Sequence, residues 1–291
     1  MPFFGVRIRA LQPLRCTLLA KGLAAVLLLC LPGRCVFAQD GKTILQNTIN
    51  LYHGVSSYDG QASAMMRQSI PKGSVVSEHG FTTRLQYKKP NKLRIDFTMP
   101  QGGRSIFYNG TTLVYYQENT MTYSNAQVAV SSLRDVCALL AKLQIVSKYD
   151  TLYFLAGNSL PGNITDIVRK PDETRNGRAV YVVSAHEKAG SSVYNLTWTI
   201  DKQTNLLASV EGRTTNAPDM VKMPKRGGGV MQVRVDRTLD QNIISPRPNA
   251  NIDEVKVFSF SPPQGAKKFP FTPELLAQFR KVAAAPSHPP K

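Results

Sequence analysis

The sequence is short of cysteine, of histidine and of acidic residues. Of 291 residues, four are cysteine and four are histidine, and 19 acids face 36 lysines and arginines. Cys16, Cys30 and Cys35 all fall in the first 38 residues, so Cys137 is the single cysteine of the remainder. One cysteine closes no internal disulfide, and stability has to come from a packed core. His53, His79, His186 and His288 lie far apart and show no metal-ligand spacing. There is no Gly-x-Ser-x-Gly elbow and no paired-cysteine zinc site, and His186-Glu187 lacks the second histidine of a zinc-protease motif. Lys225-Arg226-Gly227-Gly228-Gly229 lacks the Gly-Lys-Ser/Thr ending of a phosphate loop and reads as a hairpin loop. The sequence therefore predicts no enzyme, no metal, no cofactor and no catalytic residue.

Long apolar runs are also scarce. Gly22 to Leu31 is apolar but too short to span a bilayer. It follows a basic stretch carrying Arg7, Arg9, Arg15 and Lys21, and Val36-Phe37-Ala38 offers a small residue for cleavage. Residues 1–38 read as a signal peptide cleaved before Gln39. Arg34 and Leu29 precede Cys35 and Cys30, so neither cysteine has the small neighbour that a lipid-anchored precursor needs. Cleavage leaves 291 − 38 = 253 residues, enough for one large β domain. Five basic residues leave with the segment, so the mature charge is (36 − 5) − 19 = +12. That charge favours anionic partners: membrane headgroups, acidic proteins or polyanions.

What the chain does have is strand periodicity. Leu93, Ile95 and Phe97 alternate with Lys92, Arg94, Asp96 and Thr98, the pattern of a strand with one buried face. Pro90-Asn91 breaks the chain before it, and Asn109-Gly110 separates two apolar runs as a hairpin turn does. Further strands are predicted at 58–70, from Val75 onward, and at 164–168, 179–185, 192–200, 206–212, 229–235 and 255–260. Arg175-Asn176-Gly177 and Asp201–Asn205 are the clearest of the later turns. No long helix alternates with these strands, which excludes a parallel βαβ architecture and favours a barrel or strongly curved sheet. Helices are predicted at 41–57, with Ile44, Leu45, Thr48, Leu51 and Tyr52 as the apolar stripe, at 131–143, and from Thr272-Pro273-Glu274 to Pro286.

Three short motifs carry a resemblance. Lys88-Lys89-Pro90-Asn91-Lys92-Leu93-Arg94 resembles the "K-R-P-N-x-F-R" turn of the LolA/LolB-like periplasmic lipoprotein carriers. Tyr108 to Tyr116 resembles their "D-G-x-T-L-W-x-Y" hairpin, and Phe258-Ser-Phe-Ser-Pro-Pro-Gln-Gly265 their closing "F-x-F-x-P-P-x-G". The resemblance spans about residues 44 to 268 and makes the chain a divergent relative. It implies a mainly β (α+β) fold, a strongly curved antiparallel sheet forming a half-open barrel with covering helices. The domains would then be 1–38 signal peptide, 39–268 half-barrel and 269–291 C-terminal helical extension and tail.

The function implied is a periplasmic carrier or binder of lipid-like cargo. The implied partners are lipid or lipoprotein acyl chains and a membrane-anchored donor or acceptor protein, with the carrier a monomer and no nucleic acid bound. Alternation gives Leu85, Tyr87, Leu93, Ile95, Phe97, Leu113 and Tyr115 as cargo-binding wall, although a solidly packed core shows the same pattern. The resemblance makes 131–143 a lid, with Leu133, Val136 and Leu140 facing inward; the other reading is an ordinary helix packed on the sheet. Cys137 shares that face and reads as a small buried hydrophobe. Lys89 stands where the family has an arginine that latches the lid, and a lysine cannot make the same planar multidentate pairing. Lys88-Lys89 as a solvated turn is the alternative. A second functional class also stands: a sensor or regulatory module of the same fold that binds a protein partner in response to envelope lipid signals.

Overall fold

Helix α1 (Gly41–Gly54) begins where the Asp40 carboxylate accepts a hydrogen bond from the Thr43 N–H, an N-cap that satisfies one orphan donor. Its inward stripe is Ile44, Leu45, Thr48, Ile49 and Tyr52. Leu51, expected in that stripe, is instead 36% exposed, because the 3.6-residue period carries the buried face from 48 through 49 to 52. The computed structural model describes residues 39–70, 73, 75–143, 150–157, 159–160, 163–189, 192–215, 220–224 and 228–285. The predicted signal peptide, the 225–227 loop and the tail from 286 lie outside the described residues.

A meander follows: β1 (Ser57–Ser69), β2 (Val75–Lys88), β3 (Lys92–Thr98), β4 (Arg104–Tyr108), β5 (Thr112–Gln117) and β6 (Thr122–Gln127). The β4–β5 turn is built as the sequence predicts. Gly110 has φ +108°, and the Asn109 side chain accepts from the N–H groups of Thr111 and Thr112 at 3.0 and 2.9 Å. Helices α2 (Leu133–Lys142) and α3 (Thr151–Ala156) come next, then β7 (Ile164–Arg169), β8 (Glu173–Arg175), β9 (Arg178–Ala189), β10 (Ser192–Asp201) and β11 (Leu207–Thr215). After these come β12 (Met220–Pro224), β13 (Val230–Arg234), β14 (Asp236–Ile243), β15 (Arg247–Pro248), α4 (Glu254–Phe258), β16 (Lys267–Lys268) and α5 (Pro273–Ala284).

Among the described residues, fourteen strands form one sheet in the order β16-β6-β5-β4-β3-β2-β1-β14-β11-β10-β9-β7, with β15 on β1 and β8 on β9. The order is linear, so the curved sheet stays open. The protein is mainly β, and among the described residues every pairing is antiparallel except β16 with β6. The inner face carries α1, α2, α3 and α5, whose apolar sides join one core with Leu93, Tyr108, Trp198 and Ile200. Tyr52 anchors this core: its hydroxyl accepts from the Leu207 N–H at 3.2 Å, and its ring lies 6.0 Å from Phe154. Phe154 in turn meets Trp198 edge-on. Phe271 and Phe279 bring the C-terminal helix into the same core.

One strand predicted from sequence is corrected here, and another takes a place the sequence does not reveal. Residues 255–260 are not a strand: Asp253 caps α4 by accepting from the Lys256 N–H, and Pro262-Pro263 cannot donate to a ladder. The segment beyond α4 crosses the outer face, where Phe260 packs 5.2 to 5.7 Å from Phe107, Tyr116 and Tyr123. Residues 229–235 yield β13, which among the described residues pairs with β12 in a separate two-stranded sheet. The main-sheet strand of this region is β14, between β1 and β11, and α3 is likewise an element the sequence reading did not foresee.

Phe154 is fully buried among aromatic neighbours, so Phe154→Ala should cost about 3–5 kcal/mol, read as a drop in the urea midpoint at unchanged slope. A second prediction concerns acid. Glu254 pairs with Lys88 at 2.8 Å and with Lys92, and these hydrogen bonds lower its pKa from the usual 4.5 to about 2. A carboxyl depressed in the folded state contributes stability that is full above its unfolded value and lost as pH falls through the folded one. The advantage of wild type over Glu254→Gln should therefore fade between pH 4.5 and about 2 in thermal melts.

Candidate functional site: an apolar cavity on the inner face

The register aligns inner-face side chains into rows across the sheet. One row runs Tyr58, Tyr87, Leu93, Tyr108, Leu113 and Ala126. It lies under the helices and is buried, apart from nothing larger than the few per cent exposure of its ends. The next row runs Gly60, Leu85, Ile95, Ile106 and Tyr115, and the third Ala62, Thr83 and Phe97. Beyond β1, Gln241 aligns with Val210 and Trp198, and Leu239 with Gly212 and Leu196. Central strand β1 thus presents Gly60, Ala62 and Ala64 between neighbours with large side chains. The Tyr58 ring lies over Gly60, and space is left over Ala62 and Ala64.

The result is a cavity of about 450 Å³, within the range of small-molecule sites. Phe81, Leu85, Ile95 and Phe97 wall one side, and Tyr194, Leu196, Leu239 and Ile243 the other. Asp150, Thr151 and Leu152 of α3 close one end. The Asp150 carboxylate is occupied as the α3 cap, accepting from Leu152 N–H at 3.0 Å and Tyr153 N–H at 3.3 Å. Burial pushes the Tyr58 phenol up to about 12, and its hydroxyl bonds with Thr151 and Tyr52. Burial likewise raises the Tyr87 phenol to about 12 and lifts the Cys137 thiol. None of these groups ionises near neutral pH, and the chemistry offered by the lining is apolar contact with a few polar points. Among the described residues, no cluster of three or more His, Cys, Asp or Glu could hold a metal.

Of the residues expected from alternation, Leu85, Ile95 and Phe97 line the cavity. Tyr87, Leu93 and Leu113 are buried in the core beside it, and Tyr115 is half-buried against that core. Leu133, Val136 and Leu140 of α2 are also core, with α3 standing nearer the cavity. Cys137 is partly buried and packed on the same cluster. The Lys89 ammonium donates to the His53 carbonyl at 2.8 Å, at the C-terminal end of α1, where a cation meets the negative pole of the helix. Nearby, Asn91 donates to the Val130 carbonyl before α2. Sequence reading missed Gly60, Ala62, Ala64, Gly212 and the wall supplied by β14. The available signal was small residues recurring at alternate positions of β1, which marks a strand face with little to fill it.

A long open sheet, curved around helices and enclosing an apolar pocket, is the class of protein that fold and site define. The model of a family described as "Predicted periplasmic protein (DUF2092)" matches residues 41–148. No curated protein matches the chain. Among solved structures, the chain is similar to the lipoprotein LppX of Mycobacterium tuberculosis, with 12% identity, 73% of this chain and 98% of that one covered, and a TM-score of 0.40. It is also similar to a LolA superfamily protein from Nitrosomonas europaea, with 13% identity, 77% and 99% covered, and a TM-score of 0.31. A DUF1329 family protein from Desulfovibrio piger gives 13% identity, 75% and 95% covered, and a TM-score of 0.31.

The two glycines of the cavity should respond oppositely to alanine. A Cβ at Gly60 would lie 2.7 Å from Tyr58 ring atoms, whereas one at Gly212 would meet the Leu196 Cδ2 at an ordinary 3.6 Å. Gly60→Ala should lose about 1–3 kcal/mol, because Tyr58 must leave its place over the strand. Gly212→Ala should hold or slightly raise stability. Chemical denaturation of both variants checks the contrast.

Proposed function

We propose that the protein is a periplasmic carrier or binder of lipid-like cargo, a lipid or the acyl chains of a lipoprotein, held in the inner-face cavity. The observation that carries this reading is the cavity itself: about 450 Å³ of space between apolar walls, left above the small side chains of Ala62 and Ala64 on β1. Burying an acyl chain gains about 0.8 kcal/mol per methylene, so ten buried methylenes correspond to about 8 kcal/mol and micromolar affinity. Leu85, Ile95 and Phe97 contact the cargo, and Tyr87, Leu93, Leu113 and Tyr115 support them from the core. Helices α2 and α3 act as the cover. Leu133, Val136 and Leu140 hold α2 in the core behind α3, so cargo passes when this pair shifts. Lys89 latches α1 to the strand turn beside that cover. The protein is exported with its signal peptide removed, and works as a monomer. Its basic surface favours approach to anionic headgroups and to a membrane-anchored donor or acceptor.

The test is native mass spectrometry of the mature protein purified from its own envelope, with extraction of any bound molecule and titration with a fluorescent fatty acid. We expect a co-purifying lipid or lipopeptide and micromolar probe binding. Phe97→Asp should weaken binding at least tenfold while circular dichroism stays unchanged. An empty protein that binds no acyl probe overturns the reading and turns the search to protein partners.

A further inference from the structure

Among the described residues, two charged side chains line the cavity, and they stand at opposite ends of it. Asp150 is at the end closed by α3, beside Tyr58, and its carboxylate is taken up in capping that helix. Arg237 is at the other end. Register aligns it with Gln68 of β1, 68 − 58 = 10 residues along that strand from Tyr58, or roughly 30 Å. Its row continues through Thr214 on β11 to Tyr194 on β10, and both of these also line the cavity. The next row inward, Met66, Leu239, Gly212 and Leu196, is apolar. Arg237 is exposed as well as bordering the cavity, so a ligand reaches it without disturbing the core. The acids that alternate with it on β14, Asp236 and Asp240, lie on the opposite face and meet Arg213 and Arg67 there.

We infer that Arg237 seats the head group of the cargo, and that the cavity takes amphiphiles with a carboxylate or phosphate head, tail toward α3. The inference rests on the reading that the cavity holds lipid-like cargo, and it adds the class of head group and its direction. A guanidinium presents a planar fork of five N–H donors that matches two oxygens of a carboxylate or phosphate, and one neighbouring contact does not exhaust it. Thr214 and Tyr194 place hydroxyl donors in the same row. At the closed end the Asp150 carboxylate repels an anion, so the apolar tail goes there. A neutral chain buries the same methylenes and gains nothing from the arginine.

The experiment displaces N-phenylnaphthylamine, an apolar fluorescent probe, from the mature protein at neutral pH. The competitors share one chain: dodecanoate, dodecyl phosphate, dodecanol and dodecyltrimethylammonium. Wild type should favour both anions over dodecanol about tenfold, the worth of one charge-assisted hydrogen bond, and bind the cation most weakly. Whichever anion displaces better distinguishes a fatty acid from a phosphate lipid as the source, and either result supports the inference. Arg237→Gln should bind the probe as wild type does and lose the preference, and Arg237→Lys should keep most of it. Arg213→Gln removes a charge from the outer face of the neighbouring strand and should leave the preference intact. Equal displacement by anions and dodecanol in wild type overturns the inference and leaves the carrier reading standing. A preference that survives Arg237→Gln overturns it too, as does an equal fall in Arg213→Gln, which would make it an effect of net charge. Wild type that binds neither the probe nor any of the chains removes both readings.

Discussion

The inner face of one open sheet is mostly apolar and has to be shielded from water. Four helices meet that demand only in part. Over the row from Tyr58 to Ala126 they pack down to a core, with Tyr52, Phe154 and Trp198 interlocked at its centre. Over the neighbouring rows the short helix α3 offers only Asp150, Thr151 and Leu152 as one end wall. The cavity is the difference between the area of the sheet and the reach of its cover. Its boundary falls where β1 changes from tyrosine to glycine and alanine.

That boundary is held by polar contacts as well as by packing. The Tyr58 hydroxyl, bonded with Tyr52 and Thr151, joins the central strand to the first helix and to the helix at the cavity end. Gly60 lets the Tyr58 ring lie along the strand, because a Cβ there would collide with it. On the outer face, Asp59 is buried beneath Arg84 and Arg247, and Glu254 draws Lys88 and Lys92 together. Burying an ion pair gives little net stability, but it does penalise a one-residue slip that would exchange the two faces. Register is what keeps the small residues of β1 opposite the bulky ones of β2.

Much of this was legible in the sequence, and the failures have physical causes. The β1–β6 meander could be read because one face is buried and the turns use residues that tolerate positive φ, such as Gly102 and Gly110. Strand β14 could not, because two of its inner positions, Arg237 and Gln241, are polar where they meet the cavity. Helix α4 was read as a strand because Val255 and Val257 alternate with Lys256; the Asp253 cap decides otherwise, and Val255 ends at the surface. The six residues of α3 are too few to show a period. Of the site, alternation found Leu85, Ile95 and Phe97. It missed the space itself, since a hydrophobic pattern records side chains that are present and is silent about glycine.

The pairing at the middle of the sheet also has a consequence for how the chain comes together. Ala62 on β1 faces Ile243 on β14, 243 − 62 = 181 positions later. Strand β2 pairs with β1 locally, but the other edge of β1 has to wait until nearly the whole chain has emerged. Contacts at such separation close slowly, because a long loop must be ordered before they form. During that interval β1 is an unpaired strand edge with an apolar face, the kind of surface that draws in other chains. The strand that opens a cavity in the finished protein is therefore the one most in need of a chaperone while the protein is being made.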